Sequence, residues 1–339
     1  MSGGLKGEAL SYLTYHLTNG ELGRDWGPEA FLPALKLANA NGLLYPFLKV
    51  VSDRIPLADP IRKLFKEEES KAEEVRRTVA FLMELLEGSG VDYLFIKLYR
   101  GFDYLPRDVD LLLKEEELAL VMKLLRERGF KPLGFRKVEA KYFKPGLVRV
   151  DLYTDMRYLG LEFLSKEFLW EGTRYEEFLG LTIPIPNPVA DLLINSLHVL
   201  LGHRYLSLLD FLYLDRLTRM GGRNVRVAFK YALKYGWGGS FLYLLKLLRE
   251  VREAIQEGRE VRFPTPLPAR YALSGSHKVY GLPLKFKSAF LASTLMDRAY
   301  CTYRALLERY EQPEAKPFKL LSKVTYLVRY LVGDAATQG

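Results

Sequence analysis

Hydrophobic positions along the chain change period twice, and those changes divide it. Residues 30–40 carry apolar side chains at helical spacing, Asn41-Gly42 interrupts them, and residues 43–51 resume the pattern. From 61 to 86, Leu64, Val75, Val79, Leu82 and Leu86 mark one apolar stripe on a long helix. The dense charge over 66–77 is the solvated side of that helix, and Gly88-Ser89-Gly90 stops it. Beyond the stop the period shortens. Residues 91–98 and 108–113 read as strands, 114–128 as a charged amphipathic helix ended by Gly129, and 130–135 as a further strand. Residues 141–143 and 148–153 flank Pro145-Gly146 and predict a hairpin. Three prolines within 183–188 predict a non-helical link. Helical periodicity then returns over 189–220, 225–235 and 241–257, and again, after a proline-rich loop at 263–268, over 287–310 and 316–332. The expected architecture is α+β: a mixed sheet with helices at 89–186, between a helical amino-terminal region (1–88) and a helical carboxy-terminal domain (187–339).

Within the strand at 108–113, Asp108 and Asp110 are two residues apart and project from one face, with Val109 and Leu111 on the other. Neighbouring carboxylates repel unless a cation lies between them, and a hard cation such as Mg²⁺ (or Mn²⁺) prefers oxygen donors. In the strand at 148–153, Val148, Val150 and Leu152 share the apolar face, which leaves Asp151 beside Arg149 and Tyr153 on the other. If the two strands are neighbours, three carboxylates converge. That arrangement suits metal-assisted phosphoryl transfer, with Asp108 and Asp110 as metal ligands and Asp151 as the third ligand or base.

In these pieces and their order the chain resembles the uncharacterised nucleotidyltransferase family of the DNA polymerase beta superfamily. The residues that carry the resemblance are Ala38-Asn39-Ala40-Asn41-Gly42-Leu43-Leu44, Tyr93-Leu94-Phe95-Ile96-Lys97, Asp108-Val109-Asp110-Leu111-Leu112, Val150-Asp151-Leu152, and Ser196-Leu197-His198 with His203-Arg204-Tyr205. The resemblance implies a nucleotidyltransferase fold, an NTP substrate, Mg²⁺, and transfer of a nucleoside monophosphate to an RNA, protein or small-molecule acceptor. It departs from the family pattern at the phosphate loop. Where a Gly-Ser or Lys-Gly precedes a helix in the family, this chain has Ile96-Lys97-Leu98-Tyr99-Arg100-Gly101, too close to Asp108 for a full helix. Lys97 and Arg100 would supply positive charge to phosphates there, and Gly101 a close backbone approach.

On the helix after 189, Asp191, Asn195, His198 and Gly202 form a polar stripe at spacings of four, three and four. They fit either acceptor contacts or a buried hydrogen-bonded network between segments. His203 falls too far around the helix to share a metal with His198. Asp155, Asp210 and Asp215 read as turn or structural residues. Lys316 to Tyr330 reads first as a capping helix, with a nucleic-acid- or membrane-binding face as the alternative.

Composition narrows the partners. A formal charge of +9 is compatible with nucleotides or nucleic acid. One cysteine, Cys301, excludes an internal disulfide framework. Neither a signal peptide nor a membrane-spanning run is expected, so the default compartment is the cytoplasm. Sparse Asn and Gln beside abundant Lys, Arg, Glu and Tyr is a bias associated with thermophiles. Two further readings accommodate the acids: a non-catalytic nucleotide- or nucleic-acid-binding module, and a metal-dependent glycosyltransferase. The third acid on a following strand, and no doubly wound region before the first pair, weigh against the glycosyltransferase.

Overall fold

The structure, a computed structural model, describes residues 28–257 except 54–55, 137–138, 159–160 and 204–205. The expectations at 1–27, Arg204-Tyr205, the segments from 263 to 332 and Cys301 lie outside the described residues.

Three helices come first: α1 (Pro28–Ala40), α2 (Leu44–Ser52) and α3 (Asp59–Glu87). Gly42, at φ 70°, makes the break between α1 and α2, and the Leu43 amide closes the end of α1 by donating to the Ala38 carbonyl. At the end of α3, Gly90 takes φ 66° and the Val91 amide donates to the Leu86 carbonyl, so the glycine pair works as the sequence suggests. The stripe Val75, Val79, Leu82 and Leu86 is buried, and α3 packs across β2.

The sheet follows, with β1 (Tyr93–Ile96), β2 (Asp108–Leu113), α4 (Leu118–Glu127), β3 (Lys131–Arg136), β4 (Glu139–Phe143) and β5 (Arg149–Tyr153). Its order is β1-β2-β5-β4-β3. All neighbours are antiparallel except β2 and β5, which run parallel. The chain therefore adopts the expected α+β class with a mixed sheet. The hairpin across Pro145-Gly146 forms between β4 and β5. The buried apolar side chains form one continuous cluster, from Ala34 in α1 to Ala254 near the carboxy-terminal end of the described residues.

One expectation fails in an instructive way. The proline-rich segment is not a link but a strand, β9 (Leu181–Pro186), paired with β8 (Thr173–Phe178) after two short strands, β6 (Arg157–Tyr158) and β7 (Leu161–Glu162), and a short helix, α5 (Lys166–Leu169). Pro184 and Pro186 are two apart and sit opposite Tyr175 and Thr173. Proline lacks an N–H, so these two positions fit only where the missing donors point away from β8. That side meets β1: β9 packs against it without joining its sheet. Alternation of prolines and isoleucines is thus an edge-strand pattern.

The remaining described helices are α6 (Pro188–Leu197), continued in π geometry over His198–His203, then α7 (Leu208–Arg219), α8 (Gly222–Lys234) and α9 (Gly238–Gln256). Asn187 caps α6 by accepting from the Val189 and Ala190 amides. Ser207 and Asp210 form a reciprocal capping box on α7.

Candidate active site

The parallel pairing of β2 and β5 sets the site. Its register places Asp108 opposite Arg149, and Asp110 opposite Asp151. Side chains at partnered positions of adjacent strands point to the same face, about 4.8 Å apart at the backbone. The expected convergence of Asp151 with the pair is therefore built into the sheet. Val109, Leu111, Val150 and Leu152 are fully buried on the opposite face and hold that register, since a one-residue slip of either strand would turn its two apolar side chains outward.

Lys97 joins the acids through an unusual backbone. β1 ends at Ile96, the partner of Asp110, and Lys97 then turns through the left-handed region at φ 59°. A non-glycine residue there costs on the order of 1 kcal/mol. The turn carries the Lys97 ammonium back to Asp110 at 2.9 Å and over the Tyr153 ring, 4.6 Å from its centroid. The Tyr104 hydroxyl fixes the turn by donating to the Lys97 carbonyl at 2.6 Å.

The other two acids also have cations. The Arg149 guanidinium spans Asp108 and Asp151, donating to Asp151 from Nε at 2.9 Å, and Lys141 on β4 donates to Asp151 at 3.0 Å. Burial pushes the Asp110 carboxyl above its ordinary range; Lys97 opposes the shift, while Asp108 and Asp151 add to it. Burial works against the Arg149 charge, but Asp151 and Asp108 outweigh it and raise its pKa. Charge is balanced between side chains. Among the described residues no group of three His, Cys, Asp or Glu side chains is gathered to hold a metal ion. The three expected acids are adjacent, and the Arg149 guanidinium stands between two of them.

These residues line one wall of a cavity of about 640 Å³. Arg107, exposed, lies on its rim, and Asn39, Asn41, His198, Ser207 and Asp210 line the part contributed by helical segments. That size is in the range of small-molecule and cofactor sites.

The remaining residues singled out in the sequence divide. His198 lines the cavity. Asp191 and Asn195 are buried and absent from its lining; Asn195 donates to Asp191 at 2.7 Å. Arg174 of β8 pairs with Asp191 at 2.6 Å, and the Tyr213 hydroxyl donates to the same carboxylate. Arg100 is buried, donates to the side-chain Oδ1 of Asn195 and stands 3.7 Å from Asp210. Asp191 and Asn195 thus belong to a buried network between segments, while His198 lines the cavity. Gly101, at φ 82°, lies against Arg216, which donates to its carbonyl at 2.7 Å; an added Cβ would collide with that guanidinium. Its close approach serves a side chain of the protein. Asp215 binds Arg219 and Arg252, as a structural acid should.

Sequence reasoning missed Lys141 and the cavity-lining position of Asp210. Lys141 was findable: it is the residue of the predicted hairpin that faces Asp151.

No family model matches the chain, and no curated protein does. Among solved structures it is similar to the lincosamide antibiotic adenylyltransferase LnuA in its lincomycin-bound crystal structure, with 16% identity and a TM-score of 0.33, over 43% of this chain and 97% of that one. A likeness of that size adds nothing to the site's own geometry. Among the described residues no helix is long and apolar enough to cross a membrane.

Proposed function

We propose that the chain is a Mg²⁺-dependent nucleotidyltransferase that transfers a nucleoside monophosphate from an NTP to a hydroxyl-bearing acceptor: an RNA, a protein or a small molecule. One observation carries this reading: the β2–β5 register that sets Asp108, Asp110 and Asp151 side by side on the wall of a cavity that also presents Lys97, Lys141 and Arg149. Acids of that number beside cations of that number suit a ligand that brings both a divalent ion and phosphates.

The donor set fits Mg²⁺. The ion takes oxygen ligands and is usually held by one or two carboxylates plus substrate phosphates, and Asp108 and Asp110 supply such a pair. Bound there, it would neutralise phosphate charge and favour ionisation of the acceptor hydroxyl. The protein's own residues do the rest. Lys97, Lys141 and Arg149 exchange their carboxylate partners for phosphate oxygens and stabilise charge that develops in transfer. Asp151, released by Arg149 and Lys141, accepts the acceptor's proton or ligates on the attacking side. Arg100, expected as a phosphate contact, lines the same cavity while donating to Asn195 Oδ1, and the Gly101 carbonyl accepts from Arg216.

A second reading has one observation in its favour. The Arg149 bridge leaves the acids satisfied without metal, as in a nucleotide-binding module without turnover. One experiment separates the two. The protein is incubated with α-labelled NTPs, Mg²⁺ and total RNA, total protein or a small-molecule extract, beside Asp108→Asn/Asp110→Asn. Label transferred by the native protein and lost in the variant supports transfer. Transfer that persists in the variant sinks the site, and Mg–NTP binding without transfer establishes the module.

A further inference from the structure

Helix α8 (Gly222–Lys234) carries four cations and no acid in its thirteen residues.

 They are Arg223, Arg226, Lys230 and Lys234, spaced three, four and four residues apart. At helical geometry they form one stripe, opposite the face that buries Ala228 and Ala232, and all four are exposed. Among the described residues Arg223, Arg226 and Lys230 have no ion-pair partner. Other helices pair part of their cations with acids one turn away. On α3, Arg62, Lys71 and Arg76 pair with Asp59, Glu68 and Glu73, and on α9, Arg249 pairs with Glu253.

Helix stability does not account for the stripe. Cations at a helix N-terminus oppose its dipole, and like charges at i,i+4 repel. Arg223 lies in the first turn of α8, which has no acid and no side-chain cap. The arrangement works against helix stability and leaves Arg223, Arg226 and Lys230 as a row of charges about 10 Å long with no ion-pair partner among the described residues.

We propose that this face of α8 binds the phosphate backbone of a nucleic-acid strand. The row suits evenly spaced anions, and its arginines suit bidentate phosphate contacts. An anionic membrane is the other polyanion such a helix meets, but it requires apolar side chains beside the cations to insert. Here Ala228 and Ala232 are buried, Val225, Phe229 and Tyr231 pack against the core, and of the apolar residues of α8 only Leu233 is largely exposed. The surface is independent of nucleotidyl transfer.

The test compares the native full chain with Arg223→Gln/Arg226→Gln/Lys230→Gln, and with a charge-matched control on α3, Lys63→Gln/Lys66→Gln/Arg77→Gln. Fluorescent 20-mer RNA and DNA single strands are titrated at several salt concentrations, with circular dichroism to confirm folding. Each single-strand phosphate contact contributes about 0.7 to the log–log salt slope, so three lost contacts lower it by about 2 and weaken binding about 50-fold at 0.15 M salt relative to the 1 M limit. The control is expected to bind like the native protein. A preference for RNA or for DNA identifies the strand. An equal loss in the α3 control, no binding by the native chain, or stripe-dependent binding to phosphatidylserine vesicles alone overturns the proposal.

Discussion

Replacing Arg174 by Met removes the cation from Asp191 while keeping much of the side chain's apolar bulk. The pair is well buried, with side chains 15% and 4% exposed and 2.6 Å between Nη2 and Oδ2. Breaking such a pair from one side costs about 3–5 kcal/mol, because the remaining charge is left in a poor medium. Asp191 keeps Asn195 and Tyr213 as donors, and each hydrogen bond to a charged group offsets part of the loss. The expected cost is therefore the lower end, about 3 kcal/mol at neutral pH. Its pH dependence has a definite sign. Burial already raises the Asp191 carboxyl, and Arg174 is the leading group opposing that rise. Without Arg174 the folded-state pKa climbs further above its unfolded value, so the native state takes up a proton before the unfolded one does. The deficit is then largest above the folded pKa and shrinks as pH falls through it. Urea unfolding at pH 7 and pH 5 measures this, with Asp191→Asn added to the Met variant as a rescue. A deficit that is equal at both pH values and is not reduced in the double variant would refute the buried-charge reasoning. The network also reaches the site: Asn195 accepts from Arg100, three residues after Lys97. Loosened binding of nucleotide in the Met variant is the expected functional echo.

Gly101→Ala is expected to cost about 1–2 kcal/mol, from a left-handed alanine and a displaced Arg216, and to leave Asp108 and Asp110 untouched; urea unfolding reads it. Asn41→Ala removes a buried side chain that accepts from the Leu208 amide and donates to the Leu37 carbonyl, at a cost of about 1–3 kcal/mol in the same assay. Lys97→Met should reduce transfer about 100-fold, read as single-turnover label transfer, while the circular dichroism spectrum stays unchanged. Undiminished transfer would remove Lys97 from the site.

Much of the site was legible because strand periodicity is strict. Alternation alone put Asp108 and Asp110 on one face and Asp151 with Arg149 on the same kind of face, and the sheet needed only to pair β2 with β5. Pairing partners are another matter. That Arg149 would reach from Asp151 to Asp108 depends on the parallel register between residues forty-one apart, which no local pattern encodes. The same limit explains Arg100. Its charge resembles that of a phosphate ligand in sequence, but its burial among Asn195, Asp210 and Tyr213 follows from how α6 and α7 pack on the loop. The prolines of β9 misled for a different reason: a missing donor excludes a central strand, and an edge strand needs fewer donors.

Charge balance makes a prediction about the order of binding. Asp108, Asp110 and Asp151 carry three negative charges, and Lys97, Lys141 and Arg149 three positive ones, so the set as folded is neutral. A free Mg²⁺ entering there meets no net attraction and must displace Arg149 from Asp108 without offering that guanidinium another anion. A metal–nucleotide complex does offer one: its phosphates receive the cations as its ion receives the carboxylates. The exposed Arg107 on the rim adds attraction for the same negatively charged complex. Calorimetry should therefore find weak Mg²⁺ binding by the protein alone and much tighter binding of Mg–NTP. Arg149→Met should reverse the first result, strengthening binding of the bare ion roughly tenfold, about 1.4 kcal/mol, while slowing transfer. Equal Mg²⁺ affinity in the native and variant proteins would mean that Arg149 does not hold the carboxylates against the ion, and the exchange of partners would have to be abandoned.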